Sequence, residues 1–207
     1  MSELTIPVGM KLPDNVTFHM RVRDEKMVAN AENNPYVWQM VDCPDIFKNK
    51  RVVLFAVPGA FTPTCSAYQL PDYDANYEMF KRAGIDEVYC LSVNDSFVQN
   101  KWSDWLDVDN VKFIPDGSGF FTEQMGALVR KDNLGFGARS WRYSLLANDG
   151  VVEVAFVEEG FDDNIAFDPY EVSDPATMME YIQNESPIGK QLELNIFDGL
   201  GTDETFA

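Results

Sequence analysis

The chain has 207 residues, enough for one domain that buries a hydrophobic core without disulfides or structural metals. Apolar residues make up 45% of it, which excludes intrinsic disorder of the chain as a whole. Lysines and arginines number 16 and acidic residues 34, so the net charge is −18, and a surface of that sign argues against partners such as nucleic acid or an anionic membrane.

The first predicted element is a β-strand near the N-terminus, with alternating apolar residues. Val16, Phe18, Met20 and Val22 share one face of it, and the single histidine of the chain, His19, points to the other. This pattern favours a solvent-facing histidine over a catalytic base. One histidine also excludes metal sites built from several histidine ligands.

A central parallel sheet is predicted from three short apolar runs. Residues 52–57 form an unalternated run closed by Pro58-Gly59, as expected of a strand buried on both faces. Residues 87–93 and 111–114 resemble it, and helical patterns lie between the runs. Strand–helix–strand alternation indicates an α/β fold with a parallel sheet. The helical stripes consist of Tyr73, Tyr77 and Phe80, and of Phe97, Trp102, Trp105 and Leu106.

The pattern then changes to an antiparallel hairpin. Two strand-like runs, residues 142–147 and 151–157, lie on either side of Asp149-Gly150. Asp-Gly between two such runs is a strong signal for a tight hairpin turn.

A closing helix is predicted after the hairpin. Asp174 followed by Pro175 is typical of a helix N-cap and first helical residue. We therefore predict one domain over residues 6–184 and an acidic C-terminal tail over residues 185–207. The last 57 residues carry 14 acidic residues and one basic residue, and we interpret this charge as a solvated face.

The three cysteines, Cys43, Cys65 and Cys90, do not form a dense disulfide framework, and no CxxC motif occurs. This usage is typical of a reducing cytosol and excludes a zinc site built from cysteines. The sequence shows no secretory signal and no apolar run near the ~18 residues of a membrane span. We therefore expect a cytoplasmic protein.

The most informative stretch surrounds Cys65, after the first buried run. Thr62 is a natural helix N-cap and Pro63 a natural first helical residue, which places Cys65 in the first helical turn. Unpaired backbone N–H groups and the helix dipole there favour a thiolate over a thiol. A buried structural cysteine is the alternative, but the capping residues favour a reactive thiol.

The pattern Pro58-x-x-x-Thr62-x-x-Cys65 resembles the active-site signature of the peroxiredoxins. The resemblance is to the type-five subfamily, called type II in plants, and covers residues 6–184. It implies a thioredoxin-like α/β fold with an N-terminal β extension. The segments that carry it are 58–66 (PGAFTPTCS), 90–95 (CLSVND) and 139–144 (RSWRYS).

The resemblance also implies roles for individual residues. Cys65 would be the peroxidatic nucleophile, and Thr62 would hydrogen-bond the thiolate and the peroxide. Pro58 would shield the thiolate from water, and Arg142, on the first hairpin strand, would stabilise the thiolate and polarise the peroxide. Thr64 is expected to be a helix-turn residue, and its backbone N–H and that of Cys65 would receive the peroxide oxygens. For Arg139 a surface ion pair is the better interpretation. Peroxiredoxins need no metal or organic cofactor.

A resolving cysteine is not expected. Subfamily members that have one carry it well after the hairpin, and residues 158–167 contain no cysteine. Cys90 lies in a predicted buried strand, and exposure of Cys43 next to Pro44 is possible. The sequence therefore predicts a one-Cys mechanism with an external reductant, glutathione with or without glutaredoxin ahead of thioredoxin. The expected reaction is reduction of hydrogen peroxide and small organic hydroperoxides.

Alternative functions stay open at this stage. The same thiolate would serve a peroxide sensor or a redox-relay binding protein. A disulfide reductase is disfavoured by the missing CxxC, and a cysteine acyl-transfer enzyme lacks a base beyond His19. The subfamily commonly forms homodimers beside the active site, so a homodimer is expected, with Phe61, Phe97 and Phe120 as candidate contacts.

Overall fold

A computed structural model describes residues 3–24 and 36–184, and the predicted tail, residues 185–207, lies outside them. The strands are β1 (Thr17–Arg23), β2 (Tyr36–Asp42), β3 (Arg51–Ala56), β4 (Glu87–Ser92), β5 (Lys112–Pro115), β6 (Leu128–Arg130), β7 (Ala138–Ser140), β8 (Tyr143–Asn148) and β9 (Val151–Val157). The helices are α1 (Cys43–Phe47), α2 (Leu70–Ala75), α3 (Tyr77–Arg82), α4 (Ser96–Leu106), α5 (Phe120–Gln124) and α6 (Pro175–Asn184). A π-helical turn (Cys65–Gln69) leads into α2, and a 3₁₀ turn spans Asp132–Leu134.

A five-stranded sheet with the order β5-β4-β3-β8-β9 forms the centre of the domain. Strands β3, β4 and β5 are parallel, whereas β8 is antiparallel to β3 and β9 is antiparallel to β8. The mixed α/β fold, its buried central strand and its antiparallel hairpin are as the sequence predicts.

The central sheet separates two hydrophobic clusters. Val52, Leu54 and Ala56 of β3 belong to one cluster, and Val53 and Phe55 belong to the other. This alternation follows from the twofold period of a strand. Residues of the N-terminal segment and of α1 complete the first cluster. The second cluster is completed by helix residues, among them Leu70, Tyr73, Phe80, Trp102 and Met178.

The hairpin turn between β8 and β9 has the geometry that its residues favour. Asp149 has φ +50° and Gly150 has φ +74°. A two-residue turn with both φ angles positive matches the twist of the strands that it joins, and Asp-Gly tolerates it. The hairpin prediction is thus confirmed.

An N-terminal hairpin forms a separate two-stranded sheet. Strand β1 pairs with β2 in antiparallel register, from Thr17 opposite Asp42 to Arg23 opposite Tyr36. Strand β1 presents His19 to solvent, as expected. Strand β2 was not anticipated, because its apolar residues are half-buried or exposed and its pattern is weak.

The predicted helical stripes are partly wrong. Trp102 of α4 is fully buried, but Phe97 and Trp105 are 53% and 62% exposed, because they lie on the outer side of that helix. The other stripe is confirmed: Tyr73 and Phe80 are buried in the second cluster with ring centres 5.8 Å apart, and Tyr77 packs against it, although Asn76 separates α2 from α3.

Helix α6 begins at the predicted N-cap. Asp174 Oδ1 accepts hydrogen bonds from the backbone N–H groups of Ala176 (2.8 Å) and Thr177 (3.0 Å). Its second oxygen accepts from the Thr177 hydroxyl at 2.7 Å. The helix buries Met178 and Ile182 against the sheet, so its start is fixed both by capping and by packing.

Asp174→Ala should destabilise the protein by about 1 kcal/mol, because two N–H groups lose their acceptor. For a domain of this size this lowers Tm by roughly 2–4 °C in a thermal scan. Asp174→Asn keeps the acceptor and removes the charge, so it should stay close to wild type. Equal losses in the two variants would assign the effect to charge and not to capping.

Candidate active site

The carboxyl ends of β3 and β4 bring two loops together. The loop that begins with Pro58 follows β3, and its Ala60 N–H donates to the side-chain oxygen of Asn94, just after β4, at 2.9 Å. Phe61 takes a positive φ of +62°, which turns the chain sharply into the next helix. In open α/β sheets this edge is where clefts form, and Cys65 lies there as predicted.

Cys65 starts a π-helical turn and is fully buried. The backbone N–H of Leu70 donates to the Cys65 carbonyl, and that of Ser66 donates to the Thr62 carbonyl at 3.0 Å. Thr62 is therefore the backbone N-cap at the predicted position, but its hydroxyl donates to the Gly59 carbonyl and does not cap the helix. In the described part of the chain, the N–H groups of Thr64 and Cys65 have no acceptor, as is usual in a first helical turn.

The structure brings Arg142 to Cys65. Arg142 immediately precedes β8, one residue before the strand in which it was predicted, and Tyr143 pairs with Ala56 at the end of β3. This register carries the arginine to the edge where Cys65 lies. Its Nη1 donates to the Cys65 sulfur over 3.4 Å, and the guanidinium is 1% exposed.

Two further acceptors hold the Arg142 guanidinium. Nη1 also donates to Gln69 Oε1, and Nη2 forms an ion pair with Asp168 at 2.5 Å. Burial by itself would lower the pKa of Arg142, but the charges of Cys65 and Asp168 raise it above its ordinary value. The arginine is therefore a fixed cation at any physiological pH.

The other predicted residues lie in the loop and first helical turn that carry Cys65. The Thr62 hydroxyl donates to the Gly59 carbonyl at 2.8 Å, so its proton is not directed at Cys65 and its lone pairs stay available as acceptors. Pro58 is buried, and Thr64 has helical dihedral angles and is half-buried. No side-chain capping bond is made by Thr64, in line with its predicted place in a helical turn.

Arg139 does not form the predicted surface ion pair. It is half-buried, and its Nη1 donates to the Val93 carbonyl at 2.6 Å, behind the active-site loop. Burial lowers the pKa of this guanidinium. The expectation was wrong because β6 and β7 pair into a small sheet that places Arg139 against the loop after β4.

The other two thiols are poor nucleophiles. Burial raises the pKa of Cys43 to about 12, with Asp14 and Asp116 adding to the effect. Burial also raises the pKa of Cys90 well above its ordinary value. Cys43 is 1% exposed, so the exposure that the sequence left possible is not found. Cys43 lies in one core cluster, whereas Cys65 and Cys90 lie in the other, across the sheet.

Several residues of the site were not found from the sequence. Gln69, four residues after Cys65, could have been found from helical spacing alone. Asp168 and Lys131 have no local signal, since both reach the site through tertiary packing. Lys131 is 3% exposed, with its Nζ 5.6 Å from the centre of the Trp141 ring, and burial lowers its pKa.

Among residues 3–24 and 36–184, no cluster of three His, Cys, Asp or Glu side chains could hold a metal ion. No helix in those ranges is long and apolar enough to cross a membrane. The site is thus a buried thiol, a buried guanidinium and unpaired N–H donors. These groups can stabilise a thiolate and an oxyanion next to each other.

Comparison with known proteins agrees with this chemistry. Residues 7–168 match the redoxin family. A peroxiredoxin of Rhizobium etli is 56% identical over 168 residues, which cover 81% of this chain and 92% of that protein. The chain is a peroxiredoxin of the redoxin family. Peroxiredoxin-2B of Arabidopsis thaliana is 37% identical, with 75% of this chain and 89% of that protein covered, in line with the plant type II resemblance.

Solved structures show the same thioredoxin-like architecture. The Plasmodium falciparum antioxidant protein, described as a 1-Cys peroxiredoxin, matches with a TM-score of 0.78 and 33% identity. The match covers 85% of this chain and 99% of that one. Membership in the family supports thiol-dependent peroxidase activity, and thus a peroxide substrate and a thiol reductant.

Proposed function

We propose that this peroxiredoxin reduces hydrogen peroxide and small organic hydroperoxides by a one-Cys mechanism, with Cys65 as the peroxidatic nucleophile. The observation that carries the proposal is the contact of Arg142 Nη1 with the Cys65 sulfur at 3.4 Å inside the core. A buried guanidinium at a thiol favours the thiolate, which is the nucleophilic form.

The reaction begins with attack of the Cys65 thiolate on the terminal oxygen of the peroxide. An S–O bond forms as the O–O bond breaks, the attacked oxygen keeps its proton, and the leaving hydroxide or alkoxide takes up a proton from solvent to become water or an alcohol. Cys65 is left as a sulfenic acid. Negative charge moves from sulfur to the leaving oxygen, so a fixed cation that reaches both atoms lowers the barrier.

Arg142 has a donor available for that oxygen. Its Nε is buried and has no hydrogen-bond partner within the described residues, whereas both terminal nitrogens are engaged. The unpaired N–H groups of Thr64 and Cys65 offer two more donors. The lone pairs of the Thr62 hydroxyl can accept a hydrogen bond from the peroxide O–H, and the buried Pro58 ring, which lacks an N–H, keeps water from the sulfur.

An external thiol then regenerates the enzyme. Cys43 lies across the sheet from Cys65, and Cys90 is buried with a raised pKa, so neither is poised to resolve the sulfenic acid. The structural similarity to a protein described as 1-Cys supports this view. We propose glutathione, with or without glutaredoxin, ahead of thioredoxin as reductant.

We further propose that the enzyme works in the cytoplasm and that its domain spans residues 6–184. All three cysteines are free thiols, which suits a reducing compartment. Helix α6 packs Met178 and Ile182 into the core beyond the end of the redoxin match, so it belongs to the domain.

Substitutions around the thiol should identify the catalytic groups. Cys65→Ser should abolish peroxide reduction. Arg142→Met should slow sulfenic acid formation at least tenfold, which corresponds to about 1.4 kcal/mol of lost transition-state stabilisation.

Thr62→Val should greatly slow the oxidation of Cys65, and Thr62→Ser should retain much of the wild-type rate, because only the serine keeps the hydroxyl. The measurement is stopped-flow reaction with hydrogen peroxide, with Lys101→Met as a surface control.

Wild-type rates in Arg142→Met would show that the arginine is not part of the reaction. Slow turnover with glutathione, glutaredoxin and thioredoxin alike, despite fast oxidation of Cys65, would favour a peroxide sensor or redox relay over a peroxidase.

The one-Cys mechanism predicts a persistent sulfenic acid. After one equivalent of peroxide, dimedone should trap Cys65, and glutathione should cap it as a mixed disulfide, both visible by mass spectrometry. A variant lacking Cys43 and Cys90 should keep glutathione-supported turnover and its pH profile below pH 9, because both thiols stay protonated there. Quantitative formation of a Cys65–Cys90 disulfide, with thioredoxin-dependent turnover, would contradict the one-Cys mechanism.

We propose a homodimer that pairs through the surface beside the active site. Phe61, Phe97 and Phe120 are 49%, 53% and 43% exposed, and aromatic residues are enriched at protein–protein interfaces. Phe61 packs on Trp105 with ring centres 5.6 Å apart.

Light scattering at micromolar concentration should give twice the chain mass of 23.5 kDa, and Phe97→Asp should shift the measured mass toward that of the monomer. A mass of one chain for wild type would refute the dimer.

A further inference from the structure

Both terminal nitrogens of the catalytic arginine, Arg142, have hydrogen-bond partners. Nη1 faces Cys65 and Gln69, and Nη2 faces a carboxylate, Asp168, at 2.5 Å. We propose that Asp168 is a positioning residue of the peroxide reaction, which acts through Arg142 and does not itself touch the substrate. This inference rests on the proposed role of Arg142.

The planar guanidinium needs two anchors to keep one orientation. Gln69 and Cys65 both use Nη1, so Asp168 is the one partner of Nη2 in the described part of the chain. A charge-assisted Arg–carboxylate bond is stronger and more directional than a bond to a neutral amide. Without Asp168 the group could pivot about Nη1, which would move the unpaired Nε that faces no protein acceptor.

The charge of Asp168 matters most after the chemical step. In the resting enzyme the thiolate of Cys65 and the carboxylate of Asp168 both balance the buried Arg142. A sulfenic acid carries no charge, so oxidation leaves Asp168 as the remaining anion in contact with the guanidinium. Burying a cation without a partner is costly, and the carboxylate keeps Arg142 in place through the rest of the cycle.

Hydrogen bonds fix the loop that carries Asp168, which runs from Glu158 to Ser173. The two ends of this loop are joined, because the buried Glu158 carboxylate accepts the backbone N–H groups of residues 171–173 at 2.8–3.0 Å. In its middle, Asp163 Oδ1 accepts the N–H of Arg130 at 2.6 Å, and the Arg130 carbonyl accepts the N–H of Asn164 at 2.7 Å. The carboxylate is therefore presented by a braced loop, although 37% of its side chain is exposed.

A tight contact inside the loop adds to this bracing. A Cβ atom at Gly160 would lie 2.8 Å from the Phe167 ring, and Gly160 has φ +83°. Only glycine allows the chain to fold back on the residue that precedes Asp168. Tyr170, two residues after Asp168, lies over the same arginine, with its ring centre 5.7 Å from the Arg142 guanidinium carbon.

Positioning and charge make opposite predictions. An anion near Cys65 disfavours its thiolate, so if Asp168 acted only as a charge, removing it would speed the reaction. If Asp168 were only a surface ion pair, removing it would change nothing. If it positions Arg142, removing it slows the reaction across the whole pH range.

The test is stopped-flow oxidation of Cys65 by hydrogen peroxide from pH 6 to 9. Asp168→Ala should lower the plateau rate constant at least tenfold, and Asp168→Asn, which keeps a neutral acceptor, should lose less. The control is Glu159→Gln, which removes an exposed carboxylate from the same loop, outside the contacts that brace it and away from Arg142, and should react at the wild-type rate. In a double variant with Arg142→Met, Asp168→Ala should cause no further loss, because its effect passes through the arginine.

Rates equal to or above wild type in both Asp168 variants would overturn the proposal, as would a further loss in the double variant. If Asp168→Ala loses its fold by circular dichroism, Asp168→Asn decides alone: a slower plateau supports the proposal and an unchanged or faster one refutes it. Wild-type rates in Arg142→Met alone would refute the proposed function instead, so the two failures are distinguishable.

Discussion

The buried contact between a thiol and a guanidinium organises this protein. Cys65 and Arg142 are 0% and 1% exposed, so the charge of the guanidinium acts on the sulfur where water does not screen it. Such a pair is costly to bury unless every charge and donor has a partner. Gln69 and Asp168 supply the partners for the arginine. The donors left without a protein acceptor among the described residues are Arg142 Nε and the first N–H groups of the helix.

The mixed sheet is what makes this contact possible. The parallel strands β3 and β4 end at one edge, where the loop before Cys65 is tied to the loop after β4. The antiparallel strand β8 begins at the same edge, because it runs opposite to β3, and Arg142 precedes it. A wholly parallel sheet would place the start of a neighbouring strand at the far edge. The reversal in strand direction therefore delivers the cation to the thiol.

The acidic character of the chain has a structural use near the site. Two carboxylates from the segment after β9 are directed inward, Asp168 to the arginine and Glu158 to backbone N–H groups of its own loop. Glu158 is 2% exposed and also bonds the Ser173 hydroxyl, and Ser173 in turn accepts hydrogen bonds from Gln69 and Tyr73. A chain of polar contacts thus runs from the loop through Ser173 and Gln69 to Arg142.

The sequence by itself determined the α/β class, the buried strand β3, the Asp-Gly hairpin and the place of Cys65 in a first helical turn, because these depend on local periodicity and on turn and capping residues. The resemblance of its motifs indicated the family and Arg142. Only the tertiary structure decided the surroundings of Arg139, the burial of Cys43 and the contacts of Gln69 and Asp168 with Arg142. Contacts between residues far apart in the chain depend on strand order and loop packing, which leave no pattern in the local sequence.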